Sequence, residues 1–488
     1  MFSPFSDFAN MKCNIFKNHS NKKIIKGVFT NPNKYYFFII IIITINYSHP
    51  VISQNNRNIK PINPTKTVAK PNNTIKSVAK PNKLYLLLLE NVFKDKKIRA
   101  AKLDLEGSEF SARASFAGFL PTIDLTGNHG HERHQKHESD NTATGFHETS
   151  IKIKQLIYDF GKVSTGYEIA NTKVDRTDVK LSNVESQVLF EGASAYVGLL
   201  SAFQAYKYAQ ASESRIKKVY GTEEFRVKRG SGLASNLLQV RRRLASARRT
   251  TLMRQTSYLG ALTLFKKTFK HKNKKVKLNE LTFPKFDFSG LPKNLNEAIK
   301  IARQGSFAVE MARFGTRISA LSLRKDKISR YGPKVELNLE GKWKNNVGGI
   351  LEGKRELLAK IEATFPLYKG GKDTANYYKT LKNLEASELR LQEAVESVEV
   401  QTTNNWRRHI TSKSNFAFAQ NEANIASEFL MIVRKERTLN KRSLLELLNA
   451  ELALFSARSA ANQAKAQVIL SAAALMKTTG NLNIQNFR

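Results

Sequence analysis

The sequence predicts a mainly α-helical protein with a small antiparallel β part, built from two copies of one unit. Three observations predict this fold class. Long stretches repeat apolar residues at helical spacing, four short segments alternate apolar and polar residues, and matching motifs recur at one nearly constant offset. The chain has 488 residues, of which 41% are hydrophobic, so it is long and apolar enough to bury a sizeable core.

The first element is predicted to be a secretory signal. A basic stretch that includes Lys22, Lys23, Lys26 and Lys34 precedes an apolar run at 35–45, and this run is shorter than the roughly 20 residues that span a bilayer. We therefore predict a cleaved signal segment over 1–53, whose true start is Met1 or Met11. The alternative is an anchor that stays in the membrane.

A flexible tether is predicted next, because residues 54–82 are dominated by Pro, Lys and Asn. The only cysteine, Cys13, precedes the apolar run, and a single cysteine excludes a disulfide framework and a cysteine metal site. The formal net charge of +39 makes nucleic-acid binding the first class to weigh. Residues 1–82 supply +11 of that charge, and the rest is spread thinly. A Lys-, Asn- and Ile-rich composition from an AT-rich genome explains the charge equally well without any function.

The body of the chain is predicted to be a duplication. Three motifs recur in the same order at offsets of 210 to 212 residues: 119–125 with 331–337, 156–161 with 365–371, and 237–248 with 447–458. A period this long indicates duplication of a whole unit rather than a short-repeat solenoid. The predicted domains are a first repeat at 83–267, a connector at 268–293, a second repeat at 294–480 and a C-terminal tail at 481–488.

Each copy is predicted to contain a helix, two strands and a very long helix with one break. The first helices lie at about 84–117 and 295–328, and the strands at about 119–128, 148–158, 333–342 and 357–367. Alternation gives each strand one dry and one wet face, which suits both a soluble half-buried sheet and a transmembrane barrel. The Ala-rich helices also suit an ordinary bundle. In a membrane, the four strands of one chain could not close a barrel. Open edges would leave backbone N–H and C=O groups unpaired, and each such group costs roughly several kcal/mol.

The order of these elements resembles that of the TolC-type outer-membrane channels. The motifs that carry the resemblance are Phe-Leu-Pro at 119–121, Phe-Pro-Leu-Tyr-Lys-Gly-Gly at 365–371 and Arg-Ser-Leu-Leu-Glu-Leu-Leu-Asn-Ala-Glu at 442–451. The resemblance covers roughly 84–480. It implies a homotrimer in which each protomer gives four strands to one outer-membrane β-barrel, while the helices form a long periplasmic α-helical barrel.

The same resemblance implies a passive conduit, not an enzyme, without cofactors. The partners that it implies are a periplasmic adaptor (membrane fusion) protein, an inner-membrane ABC or proton-driven transporter, and outer-membrane lipid, with no nucleic acid. The sequence contains no Walker loop, nucleophile elbow or HExxH motif, and so offers no competing catalytic site.

The resemblance also implies that the breaks in the long helices are tips that dock the adaptor. Gly230 corresponds to the family's turn glycine, Asn236 replaces an acidic residue, Asn440 stands where glycine is expected, and Glu446 replaces Asp. The predicted docking residues are Arg229, Gly230, Gly232, Leu233, Asn236, Leu439, Asn440, Arg442, Ser443, Leu444 and Glu446. The alternative is that both breaks are plain helix connections.

Three further groups of residues could carry a function. If the strand parity is right, seven charged residues face the barrel lumen and tune ion preference: Asp124, Lys152, Lys154, Glu336, Glu340, Lys360 and Glu362. Five histidines in 127–148 could bind a transition metal, but we interpret this stretch as a mobile exterior loop and predict no metal ligand. Five arginines in 241–249 lack interleaved aromatic residues, which favours a solvated face or an acidic adaptor surface over base stacking.

Together these features predict the outer-membrane channel of a tripartite export machine, located in the cell outer membrane and spanning into the periplasm. Protein cargo, as in type I secretion, is the leading hypothesis, and drug or small-molecule efflux is the alternative. The alternative from another class is a basic helical scaffold or nucleic-acid-binding protein. The signal segment discriminates between the two classes, because a cytosolic protein has no use for it.

Overall fold

The chain folds into two successive copies of a helix–strand–strand–helix unit. The computed structural model describes residues 83–135, 141–269, 281–284, 286, 290–439 and 441–487. The first copy comprises α1 (Lys83–Lys94), α2 (Lys96–Phe116), β1 (Thr122–His134), β2 (Thr142–Tyr158), α3 (Lys162–Lys228) and α4 (Ala234–Thr268). The second comprises α5 (Leu295–Gly305), α6 (Phe307–Tyr331), β3 (Lys334–Asn345), β4 (Gly353–Thr364), α7 (Lys372–Thr438) and α8 (Leu444–Thr478). Helices α3 and α7 both have 67 residues, and α4 and α8 both have 35.

Several predicted segments fall outside the described residues. These are the signal segment 1–53, the tether 54–82 and residues 270–280 of the connector. The chain end is packed rather than loose, because Ile484–Phe487 forms a 3₁₀ turn and the Phe487 side chain is fully buried. Its ring lies edge-on to Phe286 of the connector, with the two centroids 5.3 Å apart.

The structure corrects the predicted strand bounds. Strands β1 and β2 extend well beyond the predicted ranges, since the register continues through His129 opposite His147 to His134 opposite Thr142. The stretch predicted as an exterior loop is therefore mostly strand, which its His, Gly and Thr residues do not signal by alternation. Strand β4 starts earlier and ends at Thr364, because Pro366 has no N–H to donate to a ladder.

The first helix of each copy is interrupted, which the sequence analysis does not predict. Asp95 separates α1 from α2, and its carboxylate accepts a hydrogen bond from the Lys97 N–H at 2.8 Å. This is an N-cap, which starts a new helix by satisfying one of its free N–H groups. Ser306 marks the equivalent break between α5 and α6.

Both long helices begin after a glycine in the left-handed region. Gly161 has a φ of 88° and Gly371 a φ of 79°, which a residue with a Cβ adopts only with strain. In the first copy the Asp159 carboxylate accepts hydrogen bonds from the N–H groups of Gly161 at 3.0 Å and Val163 at 2.7 Å. These turns direct the chain from the sheet into α3 and α7.

The four strands form one antiparallel sheet in the order β1-β2-β3-β4. The β2–β3 pairing joins the two copies, with Ile153 opposite Leu339 and Lys152 opposite Glu340. Within the described residues, β1 and β4 therefore each keep one unpaired edge.

The long helices pack side by side in the order α4, α3, α8, α7, while α2 packs on α3 and α6 packs on α3 and α7. The largest core joins α1, α3, α4, α8 and the chain end around Tyr196. The Tyr196 hydroxyl donates to the Thr282 carbonyl at 3.0 Å, and burial raises its pKa to about 12. One window of α3 is apolar and long enough to cross a membrane, but half of it is buried, as expected for a core helix.

Candidate functional site

The seven residues predicted to face a lumen all lie on one face of the sheet. Residues opposite each other in antiparallel strands share a face, and the register aligns Asp124 with Lys152 and Lys152 with Glu340. Residues two positions apart along a strand share it too. The remaining four are Lys154, Glu336, Lys360 and Glu362. We call the even-numbered residues of the strands the wet face and the odd-numbered ones the dry face, up to the bulge at Leu156/Tyr158.

The dry face is apolar and uncovered. Leu125 is 71% exposed, Leu357 91% and Ile361 74%, and apolar residues that share one exposed face mark an interaction or membrane site. The face runs from Val335 to Trp343, a distance of about 26 Å along β3 at roughly 3.3 Å per residue. That length is close to the roughly 25 Å apolar band of membrane barrels, which ends in aromatic residues at each interface.

Ion pairs connect charged side chains of the wet face, both between neighbouring strands and within a strand. The Lys344 ammonium lies 2.8 Å from the Glu356 carboxylate across β3 and β4, and Lys360 lies 2.8 Å from Glu362 along β4. The Asn338 amide also donates to Glu362 at 3.3 Å. These side chains are partly exposed, so water screens each pair, and each contributes little stability on its own.

The histidines lie on strands rather than in the predicted loop, and His137 is outside the described residues. His129 and His147 stack at 5.1 Å between ring centroids, and their Nδ1 atoms are 3.0 Å apart. Both belong to the dry face, farther from the helices than Trp343. Among the described residues, no group of three or more His, Cys, Asp or Glu side chains is arranged to hold a metal ion.

The first tip is the turn between α3 and α4. Gly230 adopts a φ of 74°, and the N–H groups of Gly230 and Ser231 donate back to the carbonyls of Val227 and Arg226, each at 2.9 Å. This pattern closes the C-terminus of α3 and favours glycine at the left-handed position. A Cβ on Gly232 would lie 2.9 Å from the Val227 nitrogen, so glycine is needed there for space.

The second tip is built on a capping box. The Ser443 hydroxyl accepts from the Glu446 N–H at 3.2 Å, and the Glu446 carboxylate accepts from the Ser443 N–H at 2.8 Å. Arg442 donates to Glu436 at 2.6 Å and to Glu446 at 3.1 Å. The Ser443 N–H, then the Ser443 hydroxyl and Arg442, lower the pKa of the Glu446 carboxyl. Glu446 therefore has a structural role that its alignment with a family Asp does not reveal.

The predicted docking residues differ in accessibility. The exposed ones are Arg229, Gly230, Leu233, Leu439 and Ser443, and the partly buried ones are Gly232, Asn236, Arg442 and Glu446. Leu444 is only 3% exposed and packs against Ile216 and Val240, so its side chain belongs to the tip's core. Asn440 lies outside the described residues. The Arg229 guanidinium lies over the Phe225 ring at 4.1 Å, which gives the first tip a cationic, aromatic surface.

Two buried carboxylates, neither of them a predicted site residue, connect the helices above the tips. Glu451 of α8 is 1% exposed and accepts from Arg215 of α3 at 2.6 Å and from Arg434 of α7. Glu223 of α3 is 5% exposed and accepts from Arg437 of α7 at 3.1 Å. A buried carboxylate needs such partners, because an unpaired buried charge is costly.

A sequence signal for one of them exists. Glu451 falls in the apolar stripe of α8, one turn after Leu447 and Leu448 and one turn before Leu454. A carboxylate on a stripe that faces the core indicates a buried ion pair. The partners, however, are distant in sequence, and their helix contacts become known only from the fold.

Comparison with known proteins covers both copies of the unit. A model of a family described as outer membrane efflux protein matches residues 89–265 and 299–481. The outer membrane efflux protein BepC of Brucella suis biovar 1 (strain 1330) is 20% identical over 361 residues, which is 73% of this chain and 77% of that protein.

Solved structures share the architecture at low sequence identity. The Campylobacter jejuni CmeC outer membrane channel superposes with a TM-score of 0.72 and 12% identity, over 86% of this chain and 94% of that one. The Vibrio cholerae outer membrane protein VceC superposes with a TM-score of 0.70 and 14% identity, over 81% and 96%. At such identities the likeness shows the fold alone, and it confirms the predicted fold class.

Proposed function

This chain belongs to the outer membrane efflux protein family, and on that premise we propose that it is the outer-membrane conduit of a tripartite export machine, working as a homotrimer. It is an outer-membrane channel protein that extends into the periplasm, which selects the channel interpretation over that of a nucleic-acid-binding protein. The proposal adds the oligomeric state, the partners and the cargo.

The observation that carries a barrel shared between chains is the four-stranded sheet, which within the described residues has an uncovered apolar face and two unpaired edges. In lipid, unpaired edge groups cost about several kcal/mol each, so the strands must close through other chains. Three protomers with four strands each give an even-numbered barrel of about twelve strands, a size within the known range. At about 4.8 Å per strand and a tilt of roughly 40°, its backbone diameter is about 24 Å.

The edges of the helical layer support the same assembly. The edge helix α4 carries eight Arg or Lys and no Asp or Glu, and its Leu252 and Met253 are 63% and 64% exposed. The opposite edge, α7, carries Glu422 and Glu428 but no Lys or Arg within 416–433, and its Phe418 is 75% exposed. An edge that is basic and apolar therefore complements one that is acidic and apolar, as a head-to-tail ring requires.

The tips support docking of a periplasmic adaptor, with an inner-membrane ABC or proton-driven transporter behind it. They lie at the ends of α3 and α7, whose 67 residues rise about 100 Å from the sheet at 1.5 Å per residue. Arg229, Leu233 and Leu439 are exposed there, and a mixed cationic and apolar surface suits a helical partner with acidic side chains.

For the cargo, we propose polypeptide, as in type I secretion. A barrel of about 24 Å backbone diameter leaves room for a helix of roughly 10–12 Å, or for an extended chain. Small-molecule efflux is the second candidate, favoured by the name of BepC, an efflux protein that matches most of this chain.

The assembly is tested by electrophoresis of unheated and heated outer membranes. We expect a trimer that dissociates on heating, whereas a persistent monomer would contradict the shared barrel. Arg249→Glu and Glu422→Arg should each lower the dissociation temperature, and the double variant should restore it, because the charges are exchanged across the ring. For the cargo, deletion of the gene that encodes this chain should remove specific proteins from the culture medium. An unchanged secreted proteome combined with increased drug sensitivity would favour the second candidate.

A further inference from the structure

The wet face is electrically balanced in a chain that is strongly basic. The even-numbered positions of the four strands hold seven Asp or Glu and seven Lys, whereas the whole chain has a formal net charge of +39. The dry face holds no Asp or Glu and only two Arg, Arg133 and Arg355, both at the end far from the helices. The positive excess of the chain therefore does not extend to the wet face.

Positive and negative side chains balance one another locally as well as over the whole wet face. Five of the seven lysines lie within 4.0 Å of a carboxylate on the same face: Lys334, Lys342, Lys344, Lys354 and Lys360. The other two are Lys152 and Lys154 of β2, and Lys152 lies opposite Asp124 on one side and Glu340 on the other. Rows of residues along a strand are only about 6.6 Å apart, so opposite charges in adjacent rows also lie close together.

Because of this spacing, the fields of the wet face cancel within the lumen. Neighbouring rows are closer than the Debye length of about 10 Å at 0.1 M salt, so an ion that feels one row also feels the next. A single unbalanced charge would be felt, since the wall of a barrel about 24 Å across lies within roughly one Debye length of its axis.

We propose that the β-barrel of this channel passes anions and cations alike, because the charges of its wet face cancel one another rather than set an ion preference. The inference rests on the proposed trimer, in which the wet face lines the lumen. Lys360 and Glu362 form one of the two ion pairs at the end nearest the helices, where each is 49% exposed and the two groups are 2.8 Å apart; the other pair is Lys334 and Glu336. The barrel thus accepts cargo of either sign.

The experiment measures how charged reagents enter the barrel from outside the cell, so that the barrel is tested independently of the helical tunnel. Thr122→Cys places one thiol on the wet face near the helices, with Cys13→Ala to remove the only other cysteine. Intact cells receive a cationic or an anionic methanethiosulfonate reagent, and the modification rates are compared with those of free cysteine. For the parent variant, we expect the cation-to-anion rate ratio to agree with the free-thiol ratio within about twofold, because a balanced wall adds no potential.

Matched variants test the wall itself. Lys360→Gln should raise the ratio and Glu362→Gln should lower it, each by roughly two- to fivefold, because three unbalanced charges then lie about 10 Å from the axis. The double variant should return to the parent value. A parent ratio tenfold away from that of free thiol, or single variants that leave it unchanged, would overturn the inference. If neither reagent reaches the thiol, or no trimer forms, it is the proposed channel itself that fails.

Discussion

Replacing Glu451 by glutamine should loosen the helices above the tips much more than the same change at a surface carboxylate. The change keeps the side chain's shape but removes the charge that pairs with Arg215 and Arg434. Loss of one partner from a buried ion pair costs about 3–5 kcal/mol. Arg215 is 24% exposed and Arg434 47% exposed, so water screens the remaining charges and the expected loss is about 2–3 kcal/mol.

Hydrogen exchange of the purified protein measures this loss locally. Amides of α3, α7 and α8 that flank Glu451 should lose protection by about 30- to 140-fold, since each 1.4 kcal/mol is roughly a factor of ten. The control is Glu213→Gln, whose carboxylate lies 3.8 Å from Arg248 at the surface and should change protection by less than about fivefold. Similar protection in both variants would refute the assignment of Glu451 as the buried link between these helices.

Three further outcomes are expected. Gly230→Ala should destabilise the first tip by about 1–2 kcal/mol because of its φ of 74°, whereas Gly221→Ala within α3 should stabilise by up to about 1 kcal/mol; urea unfolding that ranks them the other way would contradict the turn geometry. Ser443→Ala should cost about 1 kcal/mol through loss of the capping box, while Leu233→Ser, at a helix start without a side-chain cap, should not destabilise; proteolysis at each tip reports both. Burial, with a smaller contribution from Lys413, lowers the pKa of His409, so its neutral form is favoured in the folded state; thermal stability should fall as pH drops below about 6.5, and His409→Gln should flatten that dependence.

The sequence predicts the fold best where a repeat spans many residues or where apolar and polar residues alternate strictly. The repeat offset predicts that α3 and α7 are equivalent, and the structure gives both helices the same length. Alternation around Val335 and Leu337 predicts a strand and its parity, and the register brings the charged positions to one side. Both predictions hold because each depends on many residues that occupy equivalent positions in a repeating pattern.

The sequence was least informative where structure depends on a partner distant in the chain. The outer ends of β1 and β2 lack apolar alternation, and only pairing such as Gly130 opposite Phe146 makes them strands. The resemblance places Leu444 among the docking residues of the second tip, but contacts with α3 and α4 bury its side chain. The sequence does carry the Ser-x-x-Glu signature of a capping box at Ser443, and in the structure Glu446 completes this box.

The two tips are unequal, and one side chain connects them. The first tip has no side-chain cap at the start of α4, whereas the second has a capping box. Arg437 donates to the Arg442 carbonyl of the second tip at 3.0 Å and to Glu223, buried beside the first, at 3.1 Å. Opening the second tip far enough to displace Arg437 therefore removes from Glu223, a buried carboxylate of the first hairpin, the nearer of its two arginines, since Arg226 lies 3.5 Å away. Because such coupling is reciprocal, a partner that binds one tip and shifts Arg437 must also change the free energy of the other.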